Sequence, residues 1–293
     1  MEKTTAEEAL PAPTSANVRR SVIAGSWYPA DPRRLRAMVD GFLGDVPPQP
    51  LEGDLLGLIA PHAGYMYSGQ VAAYAYAQLR DRPFARVVVV SPVHRVYAGR
   101  FAVTDKAYYE TPLGLVAVDE DAIGRLERHV RLNRVSSDME HSLEIQLPFL
   151  QRVLGDFRLT PIMMGDQDWD SITELGQALS KAIASGESDE VLLVASTDLS
   201  HFHPYDVAVQ LDQHVLDRIV AYDPHGLATA LAARKCEACG GGPVAAVMVA
   251  AQHLGANRAV LLKYLNSGDV TGDRSSVVGY ASAALLRTQA AAG

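Results

Sequence analysis

The 293-residue sequence is poor in cysteine, positive charge and long apolar runs, and each deficit removes a class of protein. Its two cysteines, Cys236 and Cys239, lie in one Cys-x-x-Cys. One such pair cannot staple a chain of this length, so no disulfide framework is expected and a reducing, cytoplasmic setting fits. A zinc ribbon needs a second pair, which is missing. A thioredoxin-like motif follows a strand, whereas this one follows a helix-like stretch ending in Arg234-Lys235. Lys and Arg number 26 against 34 Asp and Glu, a formal charge of -8 that argues against a nucleic-acid partner. The longest apolar stretch, Pro243 to Ala251, falls short of the roughly 18 residues a membrane span needs. No Gly-x-Gly-x-x-Gly follows a strand, and Gly-x-x-x-x-Gly-Lys and Gly-x-Ser-x-Gly are absent, so no nucleotide cofactor and no serine hydrolase is expected. Met1 to Asn17 has neither a basic start nor an apolar core, which predicts a disordered tail over 1–17 rather than a secretory signal.

What the chain does have is apolar bulk, 48% of its residues, enough for one large α/β domain over 18–288. Asp31-Pro32 opens a helix to about Leu43, with Asp as cap and Pro in the first turn. Helices are also expected over Ser68–Leu79, from Asp119 to about Val130, from Asp170, and over Pro204–Tyr222 and Pro224–Ala233. Ser142–Leu154 reads as a helix kinked or broken at Pro148. Tyr108 to Val118 holds Thr111-Pro112-Leu113-Gly114, a turn between two extended pieces. Strands are expected at Leu55–Ala60, Arg86–Ser91, Arg158–Met164, from Glu190, and at Arg258–Asn266 and Ser276–Leu286. Strands alternating with helices mean a layered α/β fold.

Three of these apolar runs end in a loop that carries a histidine: His62 after Ala60, His94 after Ser91, and His201 after Ala195. Ligands of open α/β sheets bind beyond the carboxyl ends of the strands. Imidazole is both the commonest ligand for Zn, Cu and Fe and the usual acid/base at neutral pH. A single loop histidine bonds a carbonyl as readily as a ligand, but three at equivalent positions point to one shared site. Cys239 precedes a glycine-rich helix start, where backbone N–H groups favour a thiolate; an inert buried thiol is the alternative. His141 and Glu144 are three apart, so on a helix they share a face, although Ser142 could equally mark a capped, solvated start. Asp198 lies three residues before His201 and is expected to orient an imidazole, or else to close the strand in an Asx turn. Tyr65, with Tyr67, Tyr74 and Tyr76, crowds the first loop and helix, as a pocket wall or as core.

Arg20 to Pro29, Ala60 to Tyr65, Glu110 to Gly114, Glu140 to Glu144 and Ser196 to Phe202 together resemble the Memo family, whose prokaryotic members are called AmmeMemoRadiSam system protein B. The resemblance runs in order from about Val18 to Leu286. It implies the fold of LigB-type class III extradiol dioxygenases, with a central mixed, largely parallel sheet flanked by helices. It also implies a mononuclear Fe(II) or Cu site. His62 and His94 would be the imidazole ligands, and Cys239 would stand where the dioxygenases place a carboxylate. His201 would be the catalytic acid/base with Asp198 beside it, and His141, Glu144 and Tyr65 would line the substrate cleft. A thiolate in the carboxylate's place departs from the 2-His-1-carboxylate triad of oxygen activation and favours softer metals. Ser91-Pro92-Val93-His94 also departs from the Gly-Pro-(Asn or Ser)-His of relatives. The expected function is thus a metal-dependent redox protein or oxidoreductase on a small molecule. The alternative is a non-catalytic module that binds a peptide or partner in the same cleft, as an animal signalling relative binds phosphorylated peptides. The family's name further implies an association with a radical-SAM protein and an AMMECR1-like protein.

Overall fold

The computed structural model describes residues 11–186 and 191–289. Twelve strands among the described residues form one mixed sheet. They are β1 (Val18–Arg19), β2 (Asp54–Ala60), β3 (Arg86–Pro92), β4 (Phe101–Thr104), β5 (Tyr108–Thr111) and β6 (Gly114–Val118), then β7 (Asn133–Val135), β8 (Arg158–Met164), β9 (Val191–Ser196), β10 (His201–His203), β11 (Arg258–Asn266) and β12 (Val277–Arg287). The helices are α1 (Pro32–Gly44), α2 (Tyr65–Tyr76), α3 (Glu120–Glu127), α4 (His141–Glu144) and α5 (Leu147–Leu154), followed by α6 (Trp169–Ala184), α7 (Tyr205–Val220), α8 (Pro224–Ala232), α9 (Gly241–His253) and α10 (Ser267–Thr271).

The centre of the sheet, β6-β8-β3-β9-β2, is parallel, and β12 continues it antiparallel with β11 alongside. The central strands are Val- and Leu-rich and buried along almost their whole length, as a parallel sheet covered on both faces requires. Helix α2, with α1 and α5 beside it, packs on β2 and β12, while α9 packs on β2, β3 and β9 with α6 and α8. Helix α9 is apolar and small-residued all round and almost wholly buried, which suits a helix sandwiched between sheet and outer layer. One continuous hydrophobic cluster joins these layers.

Most element boundaries follow local chemistry. Asp31 caps α1 through a bond from the Arg34 N–H (2.8 Å), and Asp119 caps α3 through the Ala122 N–H (3.0 Å). Helix α6 starts slightly earlier than expected because Asp168, not Asp170, accepts the capping bond, from the Ser171 N–H at 2.9 Å. Pro148 does not kink a helix: it occupies the first turn of α5, where its missing N–H costs nothing, and the break falls at Ile145–Gln146. Of the tail expected to be disordered, residues 1–10 lie outside the described residues, and 11–17 lie on the β5 edge. There the Tyr108 hydroxyl donates to Pro11 O and the Ala107 N–H donates to Asn17 O. The expected strand start at Glu190 also lies outside the described residues, with β9 running from Val191.

The sheet order decides where the site lies. Strand β9 is inserted between β2 and β3, with Ala60 paired to Ser196 and Val90 to Ala195. The loops bearing His62, His94 and Asp198–His201 therefore leave the same sheet edge side by side.

Candidate metal centre

His62 follows β2 and is 2% exposed. Its Nδ1 lies 2.9 Å from Ser196 Oγ, on the last residue of the neighbouring β9. The Ser196 hydroxyl has one proton and donates it to Ser142 O (2.6 Å), while accepting from Gln146 Nε2 (2.8 Å). The orientation of the Gln146 amide is itself fixed, because its Nε2 also donates to the Pro61 carbonyl (3.0 Å), which can only accept, leaving Oε1 to the Tyr76 hydroxyl. Ser196 can therefore only accept from His62, so Nδ1 carries the imidazole proton and Nε2 presents a lone pair. That Nε2 faces Cys239 Sγ at 3.1 Å.

His94 is oriented the same way by a carboxylate. Its Nδ1 lies 3.0 Å from Glu140 Oε1, and its backbone N–H donates to Glu140 Oε2 at 2.6 Å. Burial by itself would raise the Glu140 carboxyl, but the His94 ring and backbone and the Ser142 N–H hold it down at about 2. An ionised acceptor fixes the His94 tautomer and leaves its Nε2 for the site. Glu140 also caps α4 through the N–H groups of His141 and Ser142. Its backbone is held from behind: Arg19 Nη2 donates to Glu140 O (2.7 Å), and the Glu140 N–H donates to Asp138 Oδ1 (2.8 Å).

Cys239 reaches the sheet edge on the loop before α9. Its N–H donates to Asp198 O (3.2 Å), the Gly240 N–H donates to Thr197 Oγ1 (3.0 Å), and Gln167 Nε2 donates to Cys239 O (2.9 Å). Gly240 is required: a Cβ there would run into the carbonyl oxygen of Ser196. Ligand atoms of His62, His94 and Cys239 consequently lie within 4.8 Å of one another. Two imidazoles and a sulfur, with the imidazole protons engaged on the far side, are a donor set suited to a borderline or soft transition-metal ion. The thiolate expected from the helix start is not what the pocket's own groups favour. Burial, with Asp198 beside it, pushes the Cys239 thiol up to about 12, so S–H donates to the His62 lone pair and a metal must displace that proton.

The other expected residues divide. His141 and His201 line a cleft of about 780 Å³ together with His62, His94, Asp198, Trp27, Tyr67 and Arg34. The His141 ring lies 4.7 Å from that of His94 and 4.3 Å from Trp27. Burial lowers its pKa to about 4, and burial lowers His201 as well. His94, Glu140 and His141 form a second close group, but the Glu140 oxygens are already engaged by N–H donors and the Ser142 hydroxyl, which makes Glu140 an orienting acceptor. Asp198 does not bond His201. The β2–β9 register points it at His62, whose N–H it accepts at 2.8 Å, and burial pushes its carboxyl up to about 7.

Glu144 and Tyr65 do not line the cleft. Glu144 turns away from His141 because its buried carboxylate needs donors: Arg19, Ser21 Oγ (2.6 Å), the Val22 N–H (2.9 Å) and the Tyr28 hydroxyl (2.5 Å) all converge on it. Tyr65 points into the core, its hydroxyl donating to Ile145 O at 2.7 Å and its ring against Phe42 and Phe149, and Tyr67 takes the cleft position. Glu140, Ser196 and Trp27 were missed. All three stood inside stretches that carry the resemblance, Glu140–Glu144, Ser196–Phe202 and Arg20–Pro29, but nothing local ties Ser196 to a histidine 134 residues away.

The family model described as Memo-like protein matches residues 19–284. A MEMO1 family protein of Methanothermobacter thermautotrophicus is 38% identical over 274 residues, covering 90% of this chain and 99% of the relative. One from Methanosarcina mazei is 39% identical over 267 residues, covering 90% and 98%. One from Sulfolobus acidocaldarius is 36% identical over 280 residues, again 90% and 98%. Among solved structures, an uncharacterized protein of Escherichia coli K12 matches with a TM-score of 0.54 at 15% identity, covering 78% of this chain and 99% of that one, a likeness of fold alone.

Proposed function

The chain belongs to the Memo family, and on that premise we propose that it is a metal-dependent redox protein acting on a small molecule in the cleft beside His62. His62, His94 and Cys239 would hold one Fe or Cu ion. The observation that carries this reading is the convergence of their ligand atoms within 4.8 Å, with both imidazole protons tied off by Ser196 and Glu140. Such an ion, when bound, supplies one-electron chemistry. The protein supplies the rest. Ser196 and Glu140 fix the two rings, and the sulfur is fixed by the Asp198 N–H, which donates to it, and by the Thr197 hydroxyl, which accepts from the Gly240 N–H. His201, kept neutral near pH 7 by burial, accepts a proton from a phenol or related ligand in the cleft. With sulfur in place of a carboxylate, aromatic ring cleavage is not the chemistry we propose.

The test is metal content by mass spectrometry after anaerobic purification, in wild type and in His62→Ala. About one Fe or Cu per chain, lost in the variant, is expected. Negligible metal in the wild type, or unchanged metal in the variant, overturns the assignment. A second reading, a module that takes a peptide without catalysis, draws on two exposed apolar side chains in the cleft lining, Met66 and Tyr67. Peptide affinity indifferent to chelator and to Cys239→Ser would favour it.

A further inference from the structure

The cleft contains one charge with no partner. Arg34, on the first turn of α1, lines it, and its guanidinium makes no ion pair or side-chain hydrogen bond among the described residues. Asp31, on the same turn, directs Oδ1 at the Arg34 backbone N–H as the helix cap. The other lining carboxylate, Asp198, is buried against His62. Arg34 is the one arginine in the lining among the described residues, and α1 has no acidic residue in its first turn beyond the capping Asp31. Arg34 is exposed, whereas His62 and His141 are buried, so the guanidinium stands at the open side and those two imidazoles lie deeper. Trp27, Met38 and Tyr67 belong to the same lining and give it a largely apolar wall.

We infer that the cleft selects a small organic acid, its carboxylate paired with Arg34 and its apolar body laid against Trp27, Met38 and Tyr67; this rests on the reading of the cleft as the ligand site. A guanidinium fork matches a carboxylate in two parallel hydrogen bonds, and a neutral ligand of the same shape forgoes both. Arg34 is thereby the residue that sets specificity, and the ligand's far end is directed toward the buried His62 and His141.

Fluorescence tests this directly. The chain has two tryptophans, so in a Trp169→Phe background the cleft residue Trp27 is the sole reporter. The full-length protein, chelator-treated and Fe(II)-loaded, is titrated with 3-phenylpropanoate and with its neutral amide. The acid is expected to bind at least about tenfold more tightly than the amide. Arg34→Gln should abolish that ratio and leave the amide's affinity unchanged, which also shows that the variant is folded. Equal affinities in the parent, a ratio that survives Arg34→Gln, or binding of neither probe overturns the inference. Metal content of the same samples is a separate readout. A protein that takes up no metal yet still prefers the acid sinks the ligand set and leaves Arg34 in its role.

Discussion

At the scale of single residues, one hydroxyl proton decides the state of His62. Ser196→Ala removes the acceptor of the Nδ1 proton, so the ring is free to change tautomer and to present the wrong nitrogen to Cys239. Metal affinity should fall by roughly 10–100-fold with the fold intact, as for other groups that orient a ligating imidazole. Competition against a chromogenic chelator measures it, and an unchanged Kd would dismiss the role of Ser196. The separation of His62 and His94 from His201, and the choice of Cys239, came with the family resemblance. The two histidines as candidate ligands were legible because each lies in a loop that follows an apolar run. The groups that orient them were not, since Glu140 and His94 are 46 residues apart and Ser196 and His62 are 134 apart. The choice between Tyr65 and Tyr67 was equally hidden: it depends on how α2 is rotated against Phe42 and Phe149, which its own sequence does not state. Glu144 misled for a related reason, because its partner Arg19 lies on a two-residue strand with no periodicity to announce it.

At the scale of elements, two glycines make a contrast. Gly240→Ala forces the loop before α9 off the end of β9 and carries Cys239 with it. A stability loss of about 1–3 kcal/mol is expected from the overpacking, together with weakened metal binding. Gly41, inside α1, has no atom within 4 Å of where its Cβ would be, so Gly41→Ala should stabilise the protein by about 0.5–1 kcal/mol and leave metal binding alone. Chemical denaturation of both variants checks the pair, and equal effects would mean that the Gly240 contact is not what positions the loop. Elements whose signals are local, such as the capped α1 and α3 and the β5–β6 hairpin, could be read from sequence. The short strands β4, β7 and β10 could not, because three or four residues carry too little pattern and each exists through its partner strand.

At the scale of the whole molecule, buried charge and buried imidazole set the response to mutation and to acid. Arg19→Met would leave Asp138 and Glu144 ionised without their cation, at a cost of about 3–5 kcal/mol read from denaturant midpoints. His141 has its pKa lowered from 6.5 to about 4, chiefly by burial. The unfolded chain therefore binds this proton more readily than the folded one, and stability is lost as pH falls from about 6.5 towards 4. Asp198, raised to about 7, works in the opposite direction, but it is common to wild type and a His141→Gln variant. The melting temperature of wild type should drop relative to that variant across this window, and parallel curves would refute it. The path of the chain has a consequence in time. Cys239 is 177 residues beyond His62, and β12, which closes against β2, is made later still. At roughly 5–20 residues per second, the ribosome finishes the sulfur donor on the order of ten to thirty seconds after the first imidazole. A nascent chain thus has both histidines well before the sulfur, and on the proposed ligand set a metal would be taken up only once Cys239 has been made and β12 has closed against β2.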